Sequence, residues 1–483
     1  MPILILDAGN APVGVENSAT AMGFFNTRST STVQPLRARA LRLLSLLILG
    51  LSANGLAADP REDEIRELRR EIEALKERLE RLERGSEASA ERADGREHLR
   101  QSHAAQAGPV QPDEAMSTAD LDARSSLAAL SAVSEPTPET LRFGGALRFN
   151  ASLRNFDEGS RDRKGESGFE LFRIGVSGGL QDYLISAEYR FYPYMNALHH
   201  GWIGYDFGRH GSVHLGVSQV PFGLLPYAAH SFWFGVPYYL GLADNYDLGI
   251  QYLVSTESWK VHLAFYKNSE LGDSASLERY AFDVVRVGEQ QNEKINQLNT
   301  RVARTFETGS GSTHEVGLSG QLGELYNRVT GRTGHHWALA AHWNAHVSLW
   351  NFQAQLARFE YHPKNPMGVS DRVVALGALA TSYEAASRGS VAVANIAYSV
   401  PHTGMYFDEL ILYNNYSILF KDVTGFADSQ INTIGAAMGI GPLYMYLDWI
   451  HARNMPFFGD GSLAGDGVRT WKSRINLNMG YYW

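Results

Sequence analysis

The sequence predicts an all-β fold, a transmembrane antiparallel β-barrel of about 16 strands, preceded by a short helical coiled coil. Three observations carry this expectation. From residue 141 onward, apolar and polar residues alternate with a period of two in segment after segment, as strands with one oily and one wet face do. The polar faces hold charges and amides, while the apolar faces begin and end with Tyr, Trp and Phe, like an interfacial girdle. Tight turns such as "LQD" and "GIGP" alternate with long connections over 155–167, 220–245, 268–296 and 453–469. Short turns at one end and long loops at the other are what a membrane barrel shows.

Bulk composition agrees. The 483 residues carry a net charge of −9 with 20% charged residues, too mild a balance for a nucleic-acid partner. There is no cysteine, which removes disulfide scaffolds and Cys-based sites. Mean hydropathy is −0.24. Past the N-terminal region no apolar run reaches the roughly 18 residues a spanning helix needs, and a barrel does not need one. All 9 Trp and all 23 Tyr follow residue 182, so the chain joins two different materials.

The first material is residues 1–140. Residues 1–36 read as an N-terminal extension from a mis-set start, with Met22 the better start. Residues 37–58, "RARALRLLSLLILGLSANGLAA", read as a signal peptide: Arg37, Arg39 and Arg42, then the apolar Leu43–Leu51, then a small-residue cleavage zone. The alternative, a transmembrane anchor, would have about half the apolar length a span needs. Residues 59–84 open on Asp59 and Pro60 as helix-start residues, with Glu62 in capping-box position. Ile65, Leu68, Ile72, Leu75, Leu79 and Leu82 then step by three and four, the a/d seam of a coiled coil. A lone amphipathic helix docked on a domain is the alternative, although its apolar face would be wider. Residues 85–140, rich in Ala, Ser, Glu and Pro, read as a flexible linker.

The second material, residues 141–483, is the barrel. In "LRFGGALRFNASLR", Leu141, Phe143, Leu147, Phe149 and Leu153 oppose Arg142, Arg148, Asn150 and Arg154. "YLISAEYRF", "HHWALAAHWNAHV" and "PLYMYLDWIHAR" alternate likewise. A soluble sandwich of this length would be unusually large for one domain. Counting gives about 17 segments, one more than an even-numbered barrel accepts, and the excess falls between 324 and 400; 16 is expected and 18 is next. A lumen of that size is expected to hold water. The closing segment "KSRINLNMGYYW" would pair with the first strand and set Trp483 at the inner interface.

"QVPFG" (219–223), "DNYDLGIQ" (244–251), "DELILYNNYS" (408–417) and "DWIHARNMPFF" (448–458), with the aromatic end, resemble the phosphate-selective porin O/P family over most of 141–483. The resemblance implies a 16-stranded homotrimeric porin in the outer membrane of a Gram-negative bacterium, its coiled coil in the periplasm. It also implies outer-membrane lipid, a small-molecule or anion solute and the barrel insertion machinery as partners.

Anion selectivity needs fixed cations on the pore wall. With first and last strands adjacent, Arg148, Arg173, Arg190, Lys472 and Arg474 fall on one sector of the lumen and form a candidate anion track. The alternative is that carboxylates such as Glu170 and Glu188 pair with them. Residues 221–245 are the candidate constriction loop, represented by Pro221, Phe222, Gly223, Tyr227, His230, Trp233, Tyr238 and Tyr239. The stretch has no Lys or Arg, unlike a phosphate filter, so its aromatics would stack on carbohydrate or aromatic solutes, or simply pack the loop on the wall. No catalytic, metal or cofactor constellation is recognisable. His342 and His346 have helical metal-pair spacing but would lie about 13 Å apart in a strand. A reading of another class is an envelope tether, held by the coiled coil.

Overall fold

The structure is a computed structural model that describes residues 141–309, 311–401, 406–467 and 470–483. The expected extension, signal peptide, coiled-coil seam from Ile65 to Leu82 and linker lie outside the described residues. In the first half the strands are β1 (Leu141–Arg154), β2 (Glu166–Leu180), β3 (Tyr183–Phe191), β4 (Asn196–Asp206), β5 (Ser212–Gln219), β6 (Tyr246–Ser255), β7 (Trp259–Ser269), β8 (Asp283–Val284), β9 (Asn292–Glu307) and β10 (Thr313–Asn327). They continue with β11 (Thr333–Val347), β12 (Trp350–His362), β13 (Val373–Ala378), β14 (Thr381–Ala386), β15 (Arg388–Ser399), β16 (Glu409–Lys421), β17 (Ser429–Ile440), β18 (Leu443–Arg453) and β19 (Lys472–Tyr482). Two short helices, α1 (Glu158–Asp162) and α2 (Val236–Tyr239), lie in connections.

Sixteen of these strands close an antiparallel barrel. The remaining three, β8, β13 and β14, form a separate small sheet in the order β14-β13-β8. That accounts for the surplus segment between 324 and 400. "VVALGA" is buried at every position, so it reads as a strand, but its apolar residues on both faces meet protein instead of a lipid side and a lumen side.

Closure follows the expected route. β1 pairs with β19 from Ala146↔Tyr482 to Arg154↔Arg474. Trp483 bonds through its backbone with Gly145 (N···O 3.1 and 3.3 Å), and its ring stacks on Phe172 at 6.0 Å. A Cβ at Gly145 would come within 2.4 Å of the Trp483 ring, so only glycine leaves room for this seal. On the outside, Phe143, Phe149, Ile174, Ile203, Leu318 and Leu339 are exposed, an apolar belt of the kind hydrocarbon covers. The alternate residues Arg148, Arg173 and Glu188 point inward and are buried.

The two ends of the barrel differ. One carries two-residue turns at 181–182 and 441–442; the other carries 155–165, 220–245, 270–291, 363–387 and 454–471. Four of these long connections pack together on an apolar cluster including Tyr238, Leu240, Tyr280, Phe282, Leu376, Phe458 and Leu463. Val285 donates to Ala375 O (3.0 Å), Ala386 to Leu463 O (2.8 Å), and the Tyr383 hydroxyl to Tyr239 O (2.6 Å). A 16-strand barrel has more interior than its own wall side chains fill, and here the folded-in loops occupy much of it.

Candidate functional site

Residues 220–245 leave β5 and return in β6, with Val220 donating to Asn245 O (2.8 Å) to close the neck. Between those points the segment crosses the interior. Gly223 donates to the Ser319 hydroxyl of β10 (3.0 Å) and Leu224 to Gln355 Oε1 of β12 (2.8 Å). Ala228 O accepts from Asn395 of β15 (3.0 Å), and Val236 donates to the Ser417 hydroxyl of β16 (2.9 Å). The His230 ring nitrogens lie 2.9 and 2.6 Å from the amide oxygens of Asn415 and Asn351. The backbone of Phe232 and Trp233 donates to the Asp448 carboxylate of β18. In the ring of strands β16 stands opposite β5 and β6, so the loop spans the lumen from wall to wall.

Each expected loop residue has a definite place. Pro221, Phe222, Tyr238 and Tyr239 are buried; Tyr227, His230 and Trp233 are half-buried. Gly223 adopts φ +65° with Gln355 against it. Burial pushes the His230 imidazole down, opposed by its hydrogen bonds with Asn351 and Asn415. At the loop's end, burial pushes the Asp244 carboxyl up to about 6, only partly opposed by the Tyr280 and Tyr246 hydroxyls bonded to it and by Arg190.

The loop lacks cations, and the wall supplies them. Arg474 lies 4.2 Å from the Trp233 ring centre and Arg148 5.3 Å from Phe232. Arg190 sits 4.3 Å from Tyr280 in the 270–291 connection. Such stacking is favourable by about 0.5–2 kcal/mol each. Three of the arginines are ion-paired: Arg148 with Glu170 (2.8 Å), and Arg173 (2.9 Å) and Arg190 (2.6 Å) both with Glu188. The directly opposed register Arg173↔Arg190 explains the sharing, since one carboxylate between two guanidiniums offsets their repulsion. Arg474 differs. Among the described residues it has no carboxylate partner, and its Nε is a buried donor without an acceptor. Its strand neighbour Arg154 is held by Glu166 at 2.8 Å.

What the loop leaves open is a cavity of about 1100 Å³. Arg148, Arg190 and Arg474 line it; Arg173 and Lys472 do not, Lys472 lying instead 5.7 Å from the Phe156 ring. With Arg154 and Lys260 the lining carries five cationic side chains against the three carboxylates Glu166, Glu170 and Glu315. Aromatic lining comes from Tyr192, Tyr194, Tyr227, Trp233, Phe234 and Tyr446, among others. Sequence reading missed Lys260 and Glu315 across the lumen, which pair at 3.2 Å, and Arg301, which donates to Gly223 O (2.8 Å). Strand parity alone could have placed all three inward, but not their distance to the loop.

The chain matches no protein-family model and no curated protein. Solved structures resemble it at the level of fold. The outer membrane channel DcaP of Acinetobacter baumannii is 10% identical, with a TM-score of 0.47, over 71% of this chain and 97% of that one. An outer membrane protein of Vibrio cholerae, OmpT, is 14% identical, with a TM-score of 0.47, over 71% and 97%. An anion-selective porin from Comamonas acidovorans is 10% identical, with a TM-score of 0.44, over 71% and 99%. These are outer-membrane barrels. Membership of the phosphate-selective porin O/P family is not established by them.

Proposed function

We propose that this chain is an outer-membrane channel through which small hydrophilic solutes diffuse passively, with a preference for anions set in the cavity beside residues 220–245. The observation that carries the reading is the cavity lining, five cations against three carboxylates at the point where the loop narrows the lumen. Fixed charge at a constriction acts on every ion that passes, whereas the chain's overall net charge does not. Arg474 contributes most because it forms no ion pair among the described residues, while Arg148 is half of a neutral pair with Glu170 and Arg190 shares the single carboxylate of Glu188 with Arg173. A trimeric assembly belongs to the same proposal.

The test is reversal potential across a planar bilayer in a KCl gradient. Wild-type protein is expected to favour chloride, Arg474→Ala to lose much of that preference, and Lys472→Ala to keep it. Equal selectivity in wild type and Arg474→Ala would overturn the assignment. Conductance in phosphate against chloride then decides whether the preference extends to phosphate.

A second reading is supported by the tyrosine, tryptophan and phenylalanine lining of the same cavity. Faces of that kind stack on sugar or aromatic rings. Such a solute would block ion current transiently, and Trp233→Ala would shorten the blocks.

A further inference from the structure

We propose that the 270–291 connection is a strap inside the lumen, locked by one proton on Asp247 of β6, so that rising pH releases it and widens the cavity. The strap reaches the cavity through Tyr280, which lines it and stacks on Arg190 at 4.3 Å. Two sets of ion pairs fix it. Within the strap, Arg279 donates twice to Glu270 (Nε···Oε1 3.0 Å) and lies 3.9 Å from Asp283. Toward the wall, Lys294 Nζ of β9 sits 3.0 Å from Asp283 and 3.3 Å from Asp247.

The charges in this network do not balance. Asp247, Glu270 and Asp283 face Arg279 and Lys294, and all five are at most 5% exposed. Three carboxylates against two cations leave one surplus negative charge in the interior, where an uncompensated ion is strongly disfavoured. The adjoining cluster does not offset it, because Arg286 and Arg328 are taken up by Asp273 and Glu293. A proton on one carboxylate restores neutrality, and the contacts indicate which. Glu270 is held by both donors of Arg279, and Asp283 accepts from the Val284 N–H (2.7 Å) as well as from Lys294. Asp247 has less. Beyond Lys294, only Gln297 donates to its Oδ2 (3.2 Å), and its Oδ1 is buried without a partner. The Oε1 of that same Gln297 is a buried acceptor without a donor. A neutral Asp247 carries an O–H to donate, which the ionised form lacks.

The remaining groups around the network leave this count standing. Ser218 and Ser269, the register partners of Asp247, and Tyr266, bonded to Ser218, bring no charge near neutral pH. His336 of β11 acts on Lys294 and Asp283, and its protonation would supply the missing positive charge, so acid favours the lock through either group. Asp244 pulls the other way, since its ionised form accepts more strongly from the Tyr280 hydroxyl. Once the proton leaves Asp247, its charge repels Glu270 and Asp283, both of which belong to the strap. Releasing the strap withdraws Tyr280 from the cavity wall and from Arg190.

The chain has no cysteine, so Ala275→Cys, at an exposed position of the strap, can carry a single nitroxide on the full-length protein. Its spectrum is expected to narrow as pH is raised from about 5 to about 8, and to stay broad throughout when Asp247→Asn is added. Single-channel conductance should rise over the same range without Asp247→Asn and stay flat with it. A spectrum insensitive to pH, or one that narrows equally in both proteins, would overturn the proposal. Lys294→Met gives the opposite check, a mobile label at every pH, and a label that stays immobile there overturns it too. The spectroscopic arm is independent of transport: pH-dependent spectra without any current would defeat the channel reading and leave the strap standing.

Discussion

Gly223 helps hold the 220–245 segment to the wall at β10 and β12 through geometry only glycine supplies. Its φ of +65° is left-handed, and a Cβ there would fall 2.1 Å from Gln355 Oε1, the acceptor for Leu224. Gly223→Ala should therefore cost about 1–3 kcal/mol in backbone strain alone, and release the loop sooner than it unfolds the barrel. The expected result is a larger and noisier single-channel conductance with unchanged barrel content by circular dichroism. Asp244 gives a pH-dependent counterpart. Its carboxyl is raised from 3.8 to about 6 in the folded chain, so the folded state holds that proton more tightly than the unfolded one. The neutral form's contribution is complete below about pH 4 and is lost as pH rises toward 6 and beyond. Relative to Asp244→Asn, wild type should lose stability between pH 4 and pH 7, measurable as the urea midpoint of each; parallel midpoints would show that Asp244 does not couple folding to pH.

At the scale of elements, the barrel strands were legible because period-two alternation survives wherever one face meets lipid. "LRFGGALRFNASLR" gives the odd and even faces of β1 directly, as Phe149 exposed and Arg148 buried show. The inner sheet was not legible, because Val373–Ala378 meets protein on both faces and loses the alternation that distinguishes wall from interior. For the same reason the arginines could be assigned to one sector, but not their pairing with Glu170 and Glu188, which depends on register between strands. The docking of 220–245 likewise depends on single acceptors set on distant strands. Asp448 is one, accepting from the Phe232 and Trp233 backbone and from the Tyr413 hydroxyl at 2.6 Å. Asp448→Ala strands these donors at about 1–3 kcal/mol each, whereas Asp448→Asn keeps an acceptor. Conductance should rise in the first variant and stay near wild type in the second.

Across the whole molecule, charge is distributed against its own average. The chain is net negative, yet the cavity beside residues 220–245 presents more cations than carboxylates, and aromatic faces cover much of its remaining wall. Selectivity from such an arrangement is a field effect over the width of the cavity, so it must respond to screening. The Debye length is about 10 Å at 0.1 M salt and about 3 Å at 1 M. Chloride-to-potassium permeability should therefore fall toward unity between those concentrations in the wild type. In Arg474→Ala it should start nearer unity and change less. A ratio that held constant across the salt series would mean that ions are sorted by direct contact at a single point, because short-range coordination is insensitive to the bulk ionic strength that erases a field.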